Sequence, residues 1–248
     1  MCADWMNPVT LSHSKAEEWR EIMIMKNKII NEKIEHLIVE INKFTDGSEL
    51  QKILYLQNFL LANVKYPHIK LKNEDGILYP KLDLNDDIQK NYSTSYGGLI
   101  NKKVFCFGIA ETVNLILNNP KIDIKSETVN GYCVSPQNGK IIHAWNIVFV
   151  ENMAYQLDTT FDITRNVNVK KFFDDKLKII DDKNEIAGAK ATKFSYERFL
   201  VSDKHFESDH IWNKSYPICN LEYSRGKIKI AIEQLKAKGV KFDYTTEK

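Results

Sequence analysis

The hydrophobic pattern of this chain changes its period near residue 120, and that change limits the folds that the chain can adopt. Before Pro120, apolar residues recur every three or four positions, as in amphipathic helices. After it come segments rich in β-branched and aromatic residues, separated by Asn and Gly turn signals: SETVNGYCVS (126–135), IIHAWNIVFV (141–150) and MAYQLDTTFDI (153–163). The order predicts helices followed by three antiparallel strands, which favours an α+β fold.

Helices are predicted on both sides of these strands. The spacing of apolar residues places them at 15–43, at 48–64 with Ser48 as the cap, from 106 to just before Pro120, and near 226–238. The stretch 66–94 contains two prolines and several Asp and Asn residues, so we expect mainly loop there, with short strands at most. One domain in three parts is therefore predicted: an N-terminal helical segment (1–65), a core (66–165) and a C-terminal extension (166–248).

Composition excludes several classes of protein. The chain has 248 residues, of which 43% are hydrophobic and 27% are charged, and its net charge of +2 does not indicate nucleic-acid binding. No apolar run approaches the ~20 residues of a membrane span. The first residues, MCADWMNPVTLSHSK, lack the pattern of a signal peptide. We expect a cytoplasmic location, or a secreted or surface-attached one if an export signal has been trimmed; the oligomeric state stays open.

The cysteines do not follow a metal-binding or disulfide pattern. Cys2, Cys106, Cys133 and Cys219 are far apart in sequence and form no CxxC pair. A zinc site of the cysteine type is therefore not expected, and neither is a disulfide framework. We expect no metal and no organic cofactor, and we expect Cys133 and Cys219 to be ordinary buried thiols.

Cys106 stands at the start of a helical pattern, in NKKVFCFGIAETVNLILN (101–118). It begins the buried stripe of that helix, so it is either packing material or a nucleophile. A thiol attacks as the thiolate. The first turn of a helix favours a negative charge, and a nearby histidine can form an ion pair with the thiolate. The helical pattern by itself does not distinguish a packing cysteine from a nucleophile.

His143 is the histidine that the pattern places within a strand. If residues 151–152 form a two-residue hairpin turn, Val150 pairs with Met153. Asp158 then becomes the diagonal neighbour of His143 on the same face of the sheet. A three-residue loop would send Asp158 to the opposite face.

The same register places Thr160 opposite His143 and Trp145 opposite Asp158. Because buried polar side chains on such apolar strands need hydrogen-bond partners, we expect His143 and Asp158 to interact. Cys106, His143 and Asp158 are therefore a candidate thiol triad of nucleophile, general base and orienting carboxylate.

Two longer stretches carry a resemblance to a known family. YGGLINKKVFCFGIAETVNLIL, and VNGY followed by NGKIIHAWNIVFVENMAYQLDTTFD, resemble the core of the transglutaminase-like superfamily over about residues 92–165. The chain matches the family pattern at Cys106, Gly108 and Ala110, at His143, Ala144, Trp145 and Asn146, and at Tyr155, Asp158, Thr159 and Thr160. FLVSDKHFESDHIW (199–212) resembles, faintly, the segment after the core in bacterial members.

The resemblance implies a papain-like fold, with the cysteine helix packed on an antiparallel sheet that carries the histidine and the aspartate. It also implies catalytic roles for Cys106, His143 and Asp158. Two departures concern the substrate groove. Phe107 replaces a residue that is commonly polar, and the oxyanion tryptophan of the animal enzymes has no clear counterpart. The backbone N–H of Cys106 would serve as the oxyanion donor instead, with Tyr96 as a second candidate. Trp145 is either packing or a wall of the groove.

Three functions are consistent with this interpretation. The first is a cysteine peptidase or amidase acting on protein or peptide substrates through a thioester. The second is a transglutaminase that uses the same triad to transfer the acyl group to an amine. The third is a catalytically idle interaction module on the same fold, although such modules typically lose one of the three residues.

A second group of polar residues lies near the C-terminus. His205 and His210, with Asp203, Glu207 and Asp209, have metal-ligating side chains. Their spacing matches no standard metal motif, so a solvated surface is the favoured interpretation.

Overall fold

The computed structural model describes residues 13–83, 85–135, 139–165, 185–186, 189–191 and 193–243. Within these ranges the helices are α1 (His13–Phe44), α2 (Glu49–Asn63), α3 (Cys106–Leu117), α4 (Thr159–Arg165), α5 (Asp203–Phe206) and α6 (Arg225–Ala237). The strands are β1 (Lys65–Tyr66), β2 (Ile69–Glu74), β3 (Ile77–Lys81), β4 (Ser126–Ser135), β5 (Gly139–Val150), β6 (Met153–Leu157), β7 (Glu185–Ile186), β8 (Ala189–Lys190), β9 (Phe199–Val201) and β10 (His210–Trp212). None of the described helices is long and apolar enough to cross a bilayer.

The helices begin and end close to where the apolar spacing places them. Ser48 caps α2, because its Oγ accepts a hydrogen bond from the N–H of Gln51. The predicted apolar stripe of α1 is only partly buried. Its residues are buried from Ile34 onward, whereas Ile22 and Met25 are exposed. Amphipathic spacing alone does not tell which part of a long helix finds a partner.

The main sheet is mixed rather than purely antiparallel. Its strand order is β10-β4-β5-β3-β2-β7, and β6 pairs with the far end of β5 and with β9. β5 runs antiparallel to β4 and β6 but parallel to β3. The hairpin of β2 and β3 was expected to be mainly loop, and it supplies the parallel neighbour. The class is α+β, as predicted.

A two-residue turn joins β5 to β6. Glu151 and Asn152 both have positive φ, 52° and 64°, and Val150 pairs with Met153. Two consecutive positive φ values are typical of the type I′ hairpin turn, whose twist matches the flanking strands. The predicted parity of the two strands is therefore confirmed.

The third strand is shorter than predicted. β6 ends at Leu157, and residues 159–165 form α4, so the expected pairing of Thr160 with His143 is wrong. The cause is Asp158, whose Oδ1 accepts a hydrogen bond from the N–H of Phe161 at 3.0 Å. An aspartate that bonds a backbone N–H three residues later starts a helix. This capping outweighs the β propensity of the threonines.

Apolar residues pack on both faces of the central sheet. On one face α3 lies against β4 and β5, and Asn146 donates a hydrogen bond from Nδ2 to the Ala110 carbonyl at 3.0 Å. This larger core also includes buried residues of α1, α2 and α6. The other face carries a smaller core: Val129, Trp145, Ile147, Val201, Phe206, Trp212 and Cys219.

β10 and Trp145 approach β4 so closely at Gly131 that only a residue without a Cβ fits there. A Cβ at this position would lie 2.3 Å from the Ile211 carbonyl oxygen and 2.7 Å from the Trp145 ring. We expect Gly131→Ala to destabilise the protein by about 1–3 kcal/mol, because backbone must move to relieve the overlap. Gly226→Ala is the matched control, since its Cβ would meet only Ser224 Oγ at 3.6 Å. Urea unfolding of both variants checks this; equal stability of the two would contradict it.

Candidate functional site

On one side, β5 pairs first with β3 and then with β6, and His143 lies between these two paired regions. The ladder to β3 ends at Ile141, and the ladder to β6 begins at Asn146. His143 falls between these two ladders and is 7% exposed. The opposite position on β4 is Gly131, which has no side chain to fill the space beside the imidazole.

Asp158 follows the last residue of β6 and is fully buried. Its Oδ2 lies 2.8 Å from His143 Nε2 and 3.2 Å from His210 Nε2. Its backbone N–H donates to the Arg198 carbonyl at 3.0 Å. One carboxylate therefore accepts hydrogen bonds from two imidazoles through one oxygen and caps α4 through the other.

Cys106 is the first residue of α3 and is 2% exposed. The preceding Phe105 has extended backbone and packs against the rings of Tyr66 and Tyr92, with centroid distances of 5.6 and 5.1 Å. These contacts fix the start of the helix. Cys106 is among the groups that raise the pKa of His143. The structure thus places His143 and Asp158 in direct hydrogen-bond contact, with Cys106 among the groups that influence the imidazole.

The sheet register adds two residues that the sequence did not single out together. Cys133 on β4 lies opposite His210 on β10, and its diagonal neighbour on β5 is His143. Residues paired in this way share a face of the sheet. Cys133 Sγ is 3.5 Å from His210 Nε2. A second thiol and a second imidazole therefore stand next to the predicted triad.

The charges of this group reinforce one another. Burial alone lowers the pKa of His143, but the charges of Cys133 and Asp158, the hydrogen bond to Asp158 and the influence of Cys106 hold that pKa well above its usual range. Burial raises the pKa of Asp158, and the two histidines overcome it and hold the pKa well below its usual range. The two pKa values are thus shifted in opposite directions, as attraction between an imidazolium and a carboxylate requires.

Cys133 is not the ordinary buried thiol that was expected. It is half-buried. Burial raises its pKa, but His143 and His210 outweigh burial and lower the pKa to about 7. Cys219 differs, because burial and Asp203 raise its pKa. Of these two thiols, only Cys133 has the cationic surroundings that favour a thiolate.

The expected solvated surface near the C-terminus is wrong for His210. His205 is on the surface and pairs with Glu222 at 3.1 Å. His210, by contrast, is 2% exposed on β10, and its Nδ1 lies 2.6 Å from Asp209 Oδ1. Asp209 in turn pairs with Arg198. The short strand β10 turns every second residue of this polar segment inward, and no local spacing rule predicts that.

The two weaker predicted site residues have different surroundings. Trp145 is 1% exposed, stacks beside His143 at a centroid distance of 5.6 Å and donates from Nε1 to Gln156 Oε1 at 2.7 Å. It contacts the imidazole rather than an open surface. Tyr96 is half-buried, and Lys26 Nζ lies 5.3 Å from its ring centroid.

Tyr66 is a buried residue near the candidate site that sequence reasoning missed. It is 8% exposed on β1, and burial followed by the charge of Cys106 holds its pKa well above the usual range. Its hydroxyl also interacts electrostatically with His143 and Asp158. The tyrosine lies 40 positions before Cys106 in a two-residue strand, and nothing in the local sequence indicates that the two meet.

Comparisons with known proteins leave the family of this chain unassigned. No family model matches the chain, and no curated protein matches it. Among solved structures, the chain is similar to one described as the crystal structure of a TGase, that is, a transglutaminase. The similarity has 16% sequence identity and a TM-score of 0.38, and it covers 53% of this chain and 32% of that chain. Function is therefore inferred from the site itself.

The link between His143 and Asp158 has a measurable consequence. In Asp158→Asn the neutral amide no longer stabilises the imidazolium, so the pKa of His143 falls, whereas the amide oxygen still caps α4. NMR titration of the imidazole resonances measures this change. Asp86→Asn, which alters an exposed carboxylate, is the control and leaves the His143 titration unchanged. An unchanged His143 pKa in Asp158→Asn would contradict the assigned pair.

Proposed function

We propose that this protein is a thiol acyl-transfer enzyme acting on amide bonds of proteins or peptides, with Cys106 as nucleophile, His143 as acid and base, and Asp158 as the orienting carboxylate. One observation carries the proposal: His143 Nε2 lies 2.8 Å from Oδ2 of the buried Asp158, and Cys106, the first residue of α3, is among the groups that raise the pKa of His143. That order of groups is what nucleophilic thiol catalysis requires.

The proposed reaction begins with attack of the Cys106 sulfur on an amide carbonyl. The imidazolium of His143 then donates its proton to the leaving nitrogen as the C–N bond breaks, which produces a thioester on Cys106. His143, now neutral, takes a proton from the incoming water or amine. Asp158 holds the imidazole orientation throughout and stabilises its cationic form.

The negative oxygen of the tetrahedral intermediate needs hydrogen-bond donors. The backbone N–H of Cys106 is free of intrahelical bonding, because it belongs to the first turn of α3. We propose the Tyr66 hydroxyl rather than that of Tyr96 as the second donor, because the charges of both Cys106 and His143 influence the pKa of Tyr66.

Hydrolysis is favoured over transfer to an amine. Transfer requires that the amine be held beside the acyl carbon at high effective concentration. In animal transglutaminases aromatic walls around the cysteine do this. Here Trp145 and Trp212 pack edge to face at 5.9 Å and are both buried, so neither forms an open wall. We therefore place a peptidase or amidase first, a transglutaminase second and an idle interaction module third.

Graded substitution tests the proposed roles. Cys106→Ala and His143→Ala are expected to remove nearly all turnover of an unfolded protein substrate. Asp158→Asn is expected to lower kcat by about 10²- to 10⁴-fold and to retain measurable activity, because the amide still bonds the imidazole.

Release of new termini and of ammonia measures the activity in each variant, and circular dichroism verifies the fold. Cys219→Ser is the matched control, since it removes a thiol outside the site. Wild-type turnover in Cys106→Ala would contradict the assignment of the nucleophile. Absence of turnover in the wild-type protein with several unfolded substrates would favour the idle module.

A fluorescent primary amine separates hydrolysis from transfer. With amine and unfolded protein together, we expect water to resolve most of the thioester, with little label incorporated into glutamine. Labelling is measured by gel fluorescence against the Cys106→Ala blank. Efficient labelling that depends on Cys106 would reverse the order of the two enzymes and leave the triad unchanged.

A further inference from the structure

A group of metal-ligating atoms lies beside the proposed triad. Cys133 Sγ and one nitrogen each of His143 and His210 are all within 4.8 Å of one another. They come from three adjacent strands, β4, β5 and β10, and point to one face of the sheet. Asp158 Oδ2 forms hydrogen bonds with both imidazoles and is not a member of this group of three.

We propose that Cys133, His143 and His210 are three ligands of a Zn²⁺ site. A thiolate and two imidazoles are a ligand set that suits zinc rather than magnesium or calcium. With Zn–N and Zn–S bonds of about 2.0–2.3 Å, tetrahedral ligand atoms stand about 3.5 Å apart. Cys133 Sγ and His210 Nε2 already have that separation, 3.5 Å.

The proposed histidine ligands have hydrogen-bond partners of the kind found around zinc sites. A ligating histidine usually donates its other ring N–H to a carboxylate, which fixes the ring and its tautomer. His210 Nδ1 has Asp209 Oδ1 at 2.6 Å, and Asp209 is itself held by Arg198. Asp158 is fixed through Oδ1 by the Phe161 N–H. These second contacts are separate observations that favour a preformed site.

Zinc at this site would switch off the proposed catalysis, a consequence that rests on the proposed function. A neutral imidazole that binds zinc through one nitrogen carries its proton on the other. His143 would then have no free nitrogen to accept a proton from an incoming water. Zinc binding and acyl transfer are therefore mutually exclusive, and the metal acts as a reversible inhibitor rather than as a cofactor.

Metal binding is tested without any need for catalysis. In the Cys106→Ala protein, stripped of metal with a chelator, one equivalent of Co²⁺ is expected to give the tetrahedral visible spectrum and a thiolate-to-cobalt charge-transfer band. One equivalent of Zn²⁺ is expected to displace it. Adding Cys133→Ser is expected to remove the charge-transfer band and weaken Zn²⁺ binding at least tenfold, whereas Cys219→Ser leaves both unchanged.

A variant that retains every proposed ligand separates loss of metal binding from misfolding. Asp209→Asn keeps every ligand and is expected to weaken Zn²⁺ binding by about 10- to 100-fold, as loss of an outer partner typically does. No binding of Co²⁺ or Zn²⁺, or binding unaffected by Cys133→Ser, would overturn the site. Binding present in the wild-type protein but lost in Cys106→Ala would also overturn it, because the metal would then sit on Cys106.

The inhibitory role has its own readout. In the wild-type protein, turnover is expected to fall as Zn²⁺ fills the site, at the concentration found by direct titration, and to return on adding chelator. Full activity at saturating Zn²⁺ would overturn mutual exclusion. If the wild-type protein turns over no amide substrate while Cys106→Ala binds zinc through Cys133, the proposed function fails and the metal site stands.

Discussion

Burying an ionised carboxylate costs several kcal/mol unless hydrogen bonds and opposite charges replace the water that it loses. Asp158 meets this requirement with three donors: two imidazoles on Oδ2 and the Phe161 N–H on Oδ1. Its environment therefore dictates the position of several elements at once. β6 must end at Leu157, α4 must begin at Thr159, and His143 and His210 must both face the carboxylate.

The helix that follows Asp158, α4, is bound to α2 by side-chain hydrogen bonds. Gln57 of α2 accepts a hydrogen bond from Thr159 at 2.6 Å and donates one to Asp162 at 2.9 Å, so α4 is tied to the N-terminal helices. Burial and the nearby Asp158 charge raise the pKa of Asp162 well above its usual range. The two neighbouring carboxyl groups thus have pKa values shifted in opposite directions, and the one with the lowered pKa is Asp158, where the imidazoles are.

Local rules predict the parts of this site that depend on local interactions. The start of α3 at Cys106 and the parity that links His143 to Asp158 follow from apolar spacing and from a two-residue turn. The end of β6 did not follow, because the sequence pattern predicted that Asp158 contacts His143 and did not predict that it also caps α4. The places of Cys133 and His210 depend on β10 pairing with β4, a contact between residues 77 positions apart in sequence. No periodicity encodes such a pairing, and the same is true of Tyr66.

The turn at Glu151–Asn152 has a consequence for how related sequences should be compared. Because side chains alternate along a strand, one inserted residue in that turn would rotate Asp158 to the other face, away from both imidazoles. Such a sequence would still contain Cys106, His143 and Asp158 in order, and an alignment that scored only these residues would count it as intact. The number of residues between the histidine and the aspartate is thus as informative about function as the identity of either one.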